Sequence, residues 1–271
     1  MKTQRFKDSK LQRNNKDLQL TIGWLYPELM STYGDRGNVI CLTKRCQWRG
    51  VEVKVERIEF ETKDEILKSC DLILGGGAQD RQQTLVINDL KKNKGKAMKE
   101  MFERGVPGLF VCGSPQLLGH YYMTGDGEKL DGLGIFDFVT KHFGHDKPRC
   151  IGNTVGLLNL ELETKNQGQR KTIVGFENHG GRTYLGKVQP FAKVMKGNGN
   201  NGEDGTEGAI FNNVIACYFH GPLLPKNPHV ADWLITKSLQ VKYKTEIRLT
   251  ELDDTLEWQA HNFLLKRAGV I

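Results

Sequence analysis

The hydrophobic positions of this chain change period again and again through its first half. Leu18-Gln-Leu-Thr-Ile-Gly-Trp-Leu-Tyr26 is an apolar run that predicts a first strand. Pro27 to Gly34 carries turn residues and predicts a loop. From Arg36 to Arg49 the apolar positions Val39, Ile40, Leu42, Cys46 and Trp48 fall at helical spacing, and Gly50 supplies a natural helix stop. Val51 to Ile58 alternates, as a half-buried strand does. A short helix over Lys63–Ser69 and a strand over Asp71–Leu74 follow, the latter running into Gly75-Gly-Gly77. Asp80 to Arg104 predicts a long helix, Val106 to Cys112 a fourth strand, and Pro115 to Tyr122 a further helix.

Strand and helix therefore alternate, the pattern of a parallel sheet covered on both faces with right-handed crossovers. The second half lacks that alternation. Asn153–Glu163, Thr172–Asn178, Ala192–Lys196 and Asn213–Phe219 predict strands with no helices between them, an antiparallel extension of the same fold. The turn-rich run from Gly197 to Gly208 predicts a mobile loop, and Pro228–Tyr243 and Asp253–Ala268 predict closing helices. With no internal repeat, residues 18–271 are expected to form a single domain preceded by a disordered basic tail over residues 1–17.

That tail changes the meaning of the charge. The 271 residues carry a formal +7, the sign of a nucleic-acid binder, but residues 1–18 supply +4 of it. The body is mildly basic and lacks basic stretches interleaved with aromatics, which argues against nucleic acid as partner. No apolar run reaches the ~20 residues of a membrane helix, and no apolar stretch of a secretory signal follows Met1, so neither membrane insertion nor export is expected. Six cysteines without CxxC spacing predict reduced thiols in a cytoplasmic protein and no metal site.

One of those cysteines ends a buried strand. In Gly108-Leu-Phe-Val-Cys-Gly-Ser-Pro-Gln-Leu-Leu-Gly119 the chain reaches Cys112, turns on Gly113 and enters a helix. Helix N–H groups favour a thiolate there, and the Gly113 N–H points where an oxyanion would form. A packed thiol fits the same pattern, so the pattern alone leaves both readings open. Of seven histidines, His220 stands out as a base for Cys112, because Val214–Phe219 delivers it to the turn Gly221-Pro222 at another strand end. His179 in a loop is the second candidate. His120, His142, His145, His229 and His261 lie in polar contexts that predict solvated or capping roles. Gly75–Gly77 lacks both P-loop and dinucleotide spacing, so it reads as a tight turn or as N–H donors, Gly76 and Gly77, for a developing negative charge. Arg149 follows Pro148 in an irregular stretch and is either a surface residue or a carboxylate anchor.

Six motifs add to this. Tyr26-Pro-Glu-Leu-Met-Ser-Thr-Tyr-Gly-Asp-Arg-Gly-Asn38, Gly75-Gly-Gly-Ala-Gln-Asp-Arg-Gln-Gln83, Val111-Cys-Gly113, Gln116-Leu-Leu-Gly119, Gly175-Phe-Glu-Asn-His-Gly-Gly-Arg-Thr183 and His220-Gly-Pro-Leu-Leu-Pro-Lys-Asn-Pro228 stand in that order. Together, over about residues 18–240, they resemble the CobB/CobQ-like class I glutamine amidotransferases. The resemblance implies an α/β, flavodoxin-like fold, a mostly parallel sheet covered by helices with an antiparallel extension. It implies hydrolysis of L-glutamine to glutamate and ammonia through a thioester on Cys112, with His220 as base, Gly76, Gly77 and Gly113 around the oxyanion, and Arg149 on the substrate carboxylate. Within the family the likeness points to ammonia-supplying subunits paired as a heterodimer with a MurT-like Mur ligase. That partner carries ATP and magnesium and amidates the D-glutamate of lipid II to D-isoglutamine. This chain would then need no cofactor.

Other readings remain: ammonia supply to a corrinoid-type carboxylate, as in cobyric acid synthases, or a catalytically silent scaffold. Two departures from the family pattern matter. The glutamate that many relatives place two residues after the histidine is replaced by Pro222, so a carboxylate from the partner subunit is expected to complete the triad. Cys-Gly-Gly-aromatic-Gln becomes Cys112-Gly-Ser-Pro-Gln116, and Ser114 is expected to narrow the pocket.

Overall fold

The computed structural model describes residues 17–32, 34–144, 146–160 and 171–271. The predicted disordered tail lies outside these residues except for Asp17, as do His145 and Glu163. The first half runs β1 (Gln19–Leu25), α1 (Arg36–Trp48), β2 (Glu52–Ile58), α2 (Asp64–Lys68), β3 (Leu72–Gly75) and α3 (Asp80–Asp89). A wide π turn at Leu90–Lys94 leads to α4 (Gly95–Glu103), β4 (Gly108–Val111) and α5 (Gly113–Leu118). Then come β5 (Tyr121–Met123), β6 (Lys129–Asp131), β7 (Phe138–His142), β8 (Cys150–Leu158), β9 (Thr172–His179), β10 (Gly181–Leu185) and β11 (Ala192–Lys196). The chain closes with β12 (Thr206–Glu207), β13 (Ala209–Phe211), β14 (Val214–Cys217), a 3-10 turn at Leu224–Lys226, α6 (Pro228–Tyr243) and α7 (Thr255–Arg267).

The main sheet has the order β13-β14-β4-β3-β1-β2. All its pairs are parallel except β13–β14. Its five parallel strands follow the 2-1-3-4-5 order of flavodoxin-like folds, in which ligands bind beyond the carboxyl ends of the strands. Alternation along each strand feeds two cores. Leu72, Leu74, Leu109, Val111, Ile215 and Cys217 pack with Val39 and Leu42 of α1 and Leu234 and Ile235 of α6. Ile73, Phe110, Val214 and Ala216 pack on the other face with Val86 of α3 and Met98, Met101 and Phe102 of α4. Each of the Val, Leu, Ile, Phe and Met side chains among them contributes roughly 1.5–3 kcal/mol by burial.

The second half forms the expected antiparallel extension in two pieces, with one parallel pair among them. Two further four-stranded sheets form, β10-β7-β5-β6 and β12-β11-β8-β9, and β5 pairs parallel to β7 in the first of them. The helix predicted to reach Tyr122 stops at Leu118, and Tyr121 already belongs to β5. The strand predicted from Asn153 begins at Cys150 and ends at Leu158. The predicted 80–104 helix is broken into α3, the π turn and α4, where Lys94 turns inward to Asp89 and the Phe60 carbonyl.

The Gly197–Gly208 run, predicted to be mobile, is instead organised around buried side chains. The Glu177 carboxylate accepts from the N–H groups of Asn198 and Gly199 at 2.8 and 2.9 Å. Asn200, itself buried, exchanges hydrogen bonds with the Gly208 backbone at 2.9 and 3.0 Å. Buried amides replace the solvent contacts that composition alone suggested. Among the described residues no helix is long and apolar enough to cross a membrane.

Candidate active site

Four strands of the main sheet deliver residues to one edge: Asp35 after β1, Gly75–Gly77 at the end of β3, Cys112 after β4 and His220 after β14. Parallel strands put all four carboxyl ends on the same side, so residues distant in sequence converge there.

Cys112 is the hinge between β4 and α5. Its φ of 57° and ψ of −100° lie where a non-glycine residue is rarely found, a strained turn that needs outside support. Its own N–H donates to the Cys217 carbonyl at 2.8 Å. The Ser114 hydroxyl bonds back to the Val111 N–H and carbonyl, both at 3.1 Å. Ser114 is thus turned into the protein beneath the turn and does not narrow the pocket, as the sequence suggested it would. Gly113 must be glycine, since a Cβ there would stand 2.8 Å from the Ala78 backbone, where the glycine loop closes over the turn.

His220 is held from both sides. Its backbone exchanges hydrogen bonds with Phe176 of β9, which ties the third sheet to the end of β14. The Cys112 sulfur and the Asp35 carboxylate both act on its ring, whose Nδ1 stands 3.7 Å from Asp35 Oδ1. Burial works against an imidazolium at this position, but the Cys112 sulfur and the Asp35 carboxylate outweigh it, and the His220 pKa is pushed up to about 10. The pair is arranged to hold a proton on the ring beside the sulfur.

His179, the second candidate, is a different kind of histidine. Its Nδ1 donates to the Gly181 carbonyl at 2.7 Å and its ring stacks on Tyr218 at 3.7 Å. Burial drives its pKa down to about 3, so it is a neutral wall of the site. Of the histidines expected to be solvated or capping, His120 is exposed beside Asp137, and His142 lies in β7 at the pocket. His229 and His261 are instead buried, where His261 bridges the Lys226 carbonyl and the Thr172 hydroxyl and so fastens α7 to β9.

Beside Cys112 lies a cavity of about 380 Å³, a size suited to a small metabolite. Gln83, Gln116, His142, Arg149, Asn178 and His179 line it. Arg149 sits at its wall with Nε and Nη2 donating to the side chain and carbonyl of Asn178, both at 3.0 Å. The glycine loop gives a mixed answer. The Gly77 N–H donates to Asp35 Oδ2 at 2.6 Å, so it is committed to that carboxylate and not aimed at a substrate. Gly76 packs so closely against the Met30 carbonyl that a Cβ would stand 2.4 Å from it.

Sequence reading missed Asp35, Gln83 and Gln116. Gln116 accepts from Gln83 at 2.9 Å, a buried amide pair beneath the pocket. Their only signal was their place inside the motifs around the glycines and Cys112.

A thiol on a strained strand–helix turn, beside an imidazole at the edge of a flavodoxin-like sheet, is the arrangement that nucleophilic chemistry on an α/β fold calls for. The chain belongs to the CobB/CobQ-like glutamine amidotransferase family, whose domain matches residues 21–228. It is a glutamine amidotransferase. It is 40 % identical to the lipid II isoglutaminyl synthase (glutamine-hydrolyzing) subunit GatD of Staphylococcus aureus strain N315, over 93 % of this chain and 97 % of that one. The subunit of the same name from Streptococcus pneumoniae strain R6 is 36 % identical, with 89 % of each chain covered. A probable cobyric acid synthase of Methanothermobacter thermautotrophicus is 31 % identical over 60 % of this chain but only 32 % of its own length.

Proposed function

We propose that this chain hydrolyses L-glutamine and hands the ammonia to a MurT-like Mur ligase, with which it forms a heterodimer that amidates the D-glutamate of lipid II to D-isoglutamine. The observation that carries the reading is Cys112 on its strained turn beside the 380 Å³ cavity, with the His220 ring as its electrostatic neighbour. Likeness over nearly the full length of two GatD subunits, against a third of a cobyric acid synthase, favours the cell-wall acceptor over a corrinoid one.

Cys112 Sγ attacks the side-chain amide carbon of glutamine. His220 gives its proton to the departing nitrogen as the C–N bond breaks, leaving an acyl thioester and ammonia. The neutral ring then takes a proton from water, which attacks the thioester and releases glutamate. The N–H groups of Gly113 and Gly76 hold the oxyanion; each such donor contributes on the order of 2.7–4 kcal/mol to the transition state. Arg149, already oriented by Asn178, pairs with the substrate α-carboxylate. ATP and magnesium act on the ligase, and this chain works without a cofactor.

Cys112→Ala tests the reading. In the assembled complex it should abolish glutamine-dependent amidation, by at least about 1,000-fold, while amidation from added ammonium salts persists. Unchanged use of glutamine by the variant would leave a scaffold as the better description.

A further inference from the structure

Asp35 occupies the N-cap of α1, where an aspartate ordinarily accepts a hydrogen bond from its own helix. It makes no such bond. Its carboxylate turns away from the helix and is 4 % exposed, a position in which an ionised group requires partners. One oxygen accepts the Gly77 N–H at 2.6 Å, and the other faces His220 Nδ1 at 3.7 Å. The surrounding segment grips the same two loops. Thr32 donates to the Gly77 carbonyl through its N–H at 3.2 Å and its hydroxyl at 3.0 Å. Gly37 packs so tightly on Pro222 that a Cβ would stand 2.4 Å from the ring, and Asn38 Oδ1 accepts the Leu224 N–H at 2.9 Å. Pro222 stands where many relatives carry their orienting glutamate, and the start of α1 lies against it.

We propose that Asp35 is the positioning residue of this site, one carboxylate oxygen fixing the glycine loop and the other keeping the His220 ring turned toward Cys112. The orienting carboxylate then comes from this chain and not from a partner subunit, contrary to the expectation from sequence. The inference rests on the Cys112–His220 reading above. Among the described residues, the charged or titratable groups that act electrostatically on His220 include Cys112 from the β4–α5 turn, Asp35 from the start of α1, Glu207 from β12 and His179 from β9. Of these, Asp35 stands beside Nδ1.

The test follows alkylation of Cys112 by iodoacetamide against pH, read by peptide mass spectrometry on the full chain, together with kcat and KM for glutamine in the assembled complex. Asp35→Asn keeps an oxygen for Gly77 but removes the charge. It should slow alkylation of Cys112 near pH 7 about tenfold, move the alkaline limb of kcat to lower pH, and reduce kcat roughly 100-fold with KM within about twofold. Asp35→Ala should lose a further factor of about ten, and Asp35→Glu should recover part of the loss. An Asn variant with unshifted profiles and unchanged kcat overturns the proposal. A wild-type Cys112 no more reactive than Cys46 or Cys217 overturns the Cys–His reading beneath it instead. Nitrogen NMR of the wild-type His220 ring gives a second readout that needs no folded variant: Nδ1 should carry a proton, and a bare Nδ1 would refute the assignment.

Discussion

The two ends of α1 bury charge in opposite ways. Toward its carboxyl end Arg45 is 1 % exposed and held by two carboxylates: Nε and Nη2 reach both oxygens of Asp232 at 2.8 and 2.7 Å, and Nη1 and Nη2 reach both oxygens of Asp254 at 2.6 and 3.0 Å. Arg49 adds a bond to Asp232 at 2.7 Å and one to the Thr250 carbonyl at 2.7 Å. This network ties α1 to α6 and to the stretch leading into α7. At the amino end Asp35 makes one short bond and leaves its other oxygen 3.7 Å from His220, beside a cysteine with a strained backbone. Complete pairing makes a strut, because charges fully matched in the interior lose by any movement. Looser pairing leaves room for protons to change place, which chemistry needs.

Breaking the amino-end cluster should have the largest effect. His220→Asn is expected to reduce glutamine hydrolysis by about 10²- to 10⁴-fold. The same substitution has a pH signature. In the fold His220 holds its proton to about pH 10, against an ordinary value of 6.5. A raised pKa means the native state binds the proton more tightly than the unfolded chain. The resulting stabilisation is complete below about pH 6.5 and fades as pH rises through 10. The melting-temperature advantage of wild type over the variant should therefore be greatest near pH 6 and shrink toward pH 10. An advantage that grows with pH would contradict the pairing.

Breaking the carboxyl-end network should sharpen the contrast from the other side. Arg45→Ala leaves Asp232 with Arg49 alone and takes from Asp254 its Arg45 partner, a loss of about 3 kcal/mol, or about 10 °C in melting temperature for a chain of this size. At low temperature, where the variant is still folded, kcat should stay within about twofold of wild type. A loss of kcat in proportion to stability would mean that α1 transmits strain from one end to the other and that the division drawn between them is false.

The same contrast explains what could be read from sequence. The helices and strands of the first half announce themselves because each is long enough for its period to repeat, as in Val39, Leu42 and Cys46 on α1. The strands β5 and β6 have three residues each, Tyr121–Met123 and Lys129–Asp131, too few for a period, and their sheet went unseen. Cys112 and His220 were legible because each ends an apolar strand at a glycine turn. Asp35 was not, since an aspartate before a helix normally signals a cap, and its true partners lie 42 residues away in Gly77 and across the sheet in His220. The Gly197–Gly208 run misled for the converse reason: composition reports turn propensity but not the buried Glu177 that gathers the turns.

Ser114 gives the smallest effect and the finest test. Its hydroxyl bridges the Val111 N–H and carbonyl at 3.1 Å, which places it among the struts, though it is two residues from Cys112. Ser114→Gly removes that bridge and adds backbone freedom to a turn already strained at Cys112. The expected loss of stability is about 1 kcal/mol, the net worth of one buried hydrogen bond, with kcat lowered a few-fold as the sulfur loses its fixed aim. KM for glutamine should not change, because the hydroxyl points beneath the turn and not into the cavity. A variant that binds glutamine more tightly at unchanged stability would put the serine in the pocket after all, and would move the boundary between support and chemistry one residue further into α5.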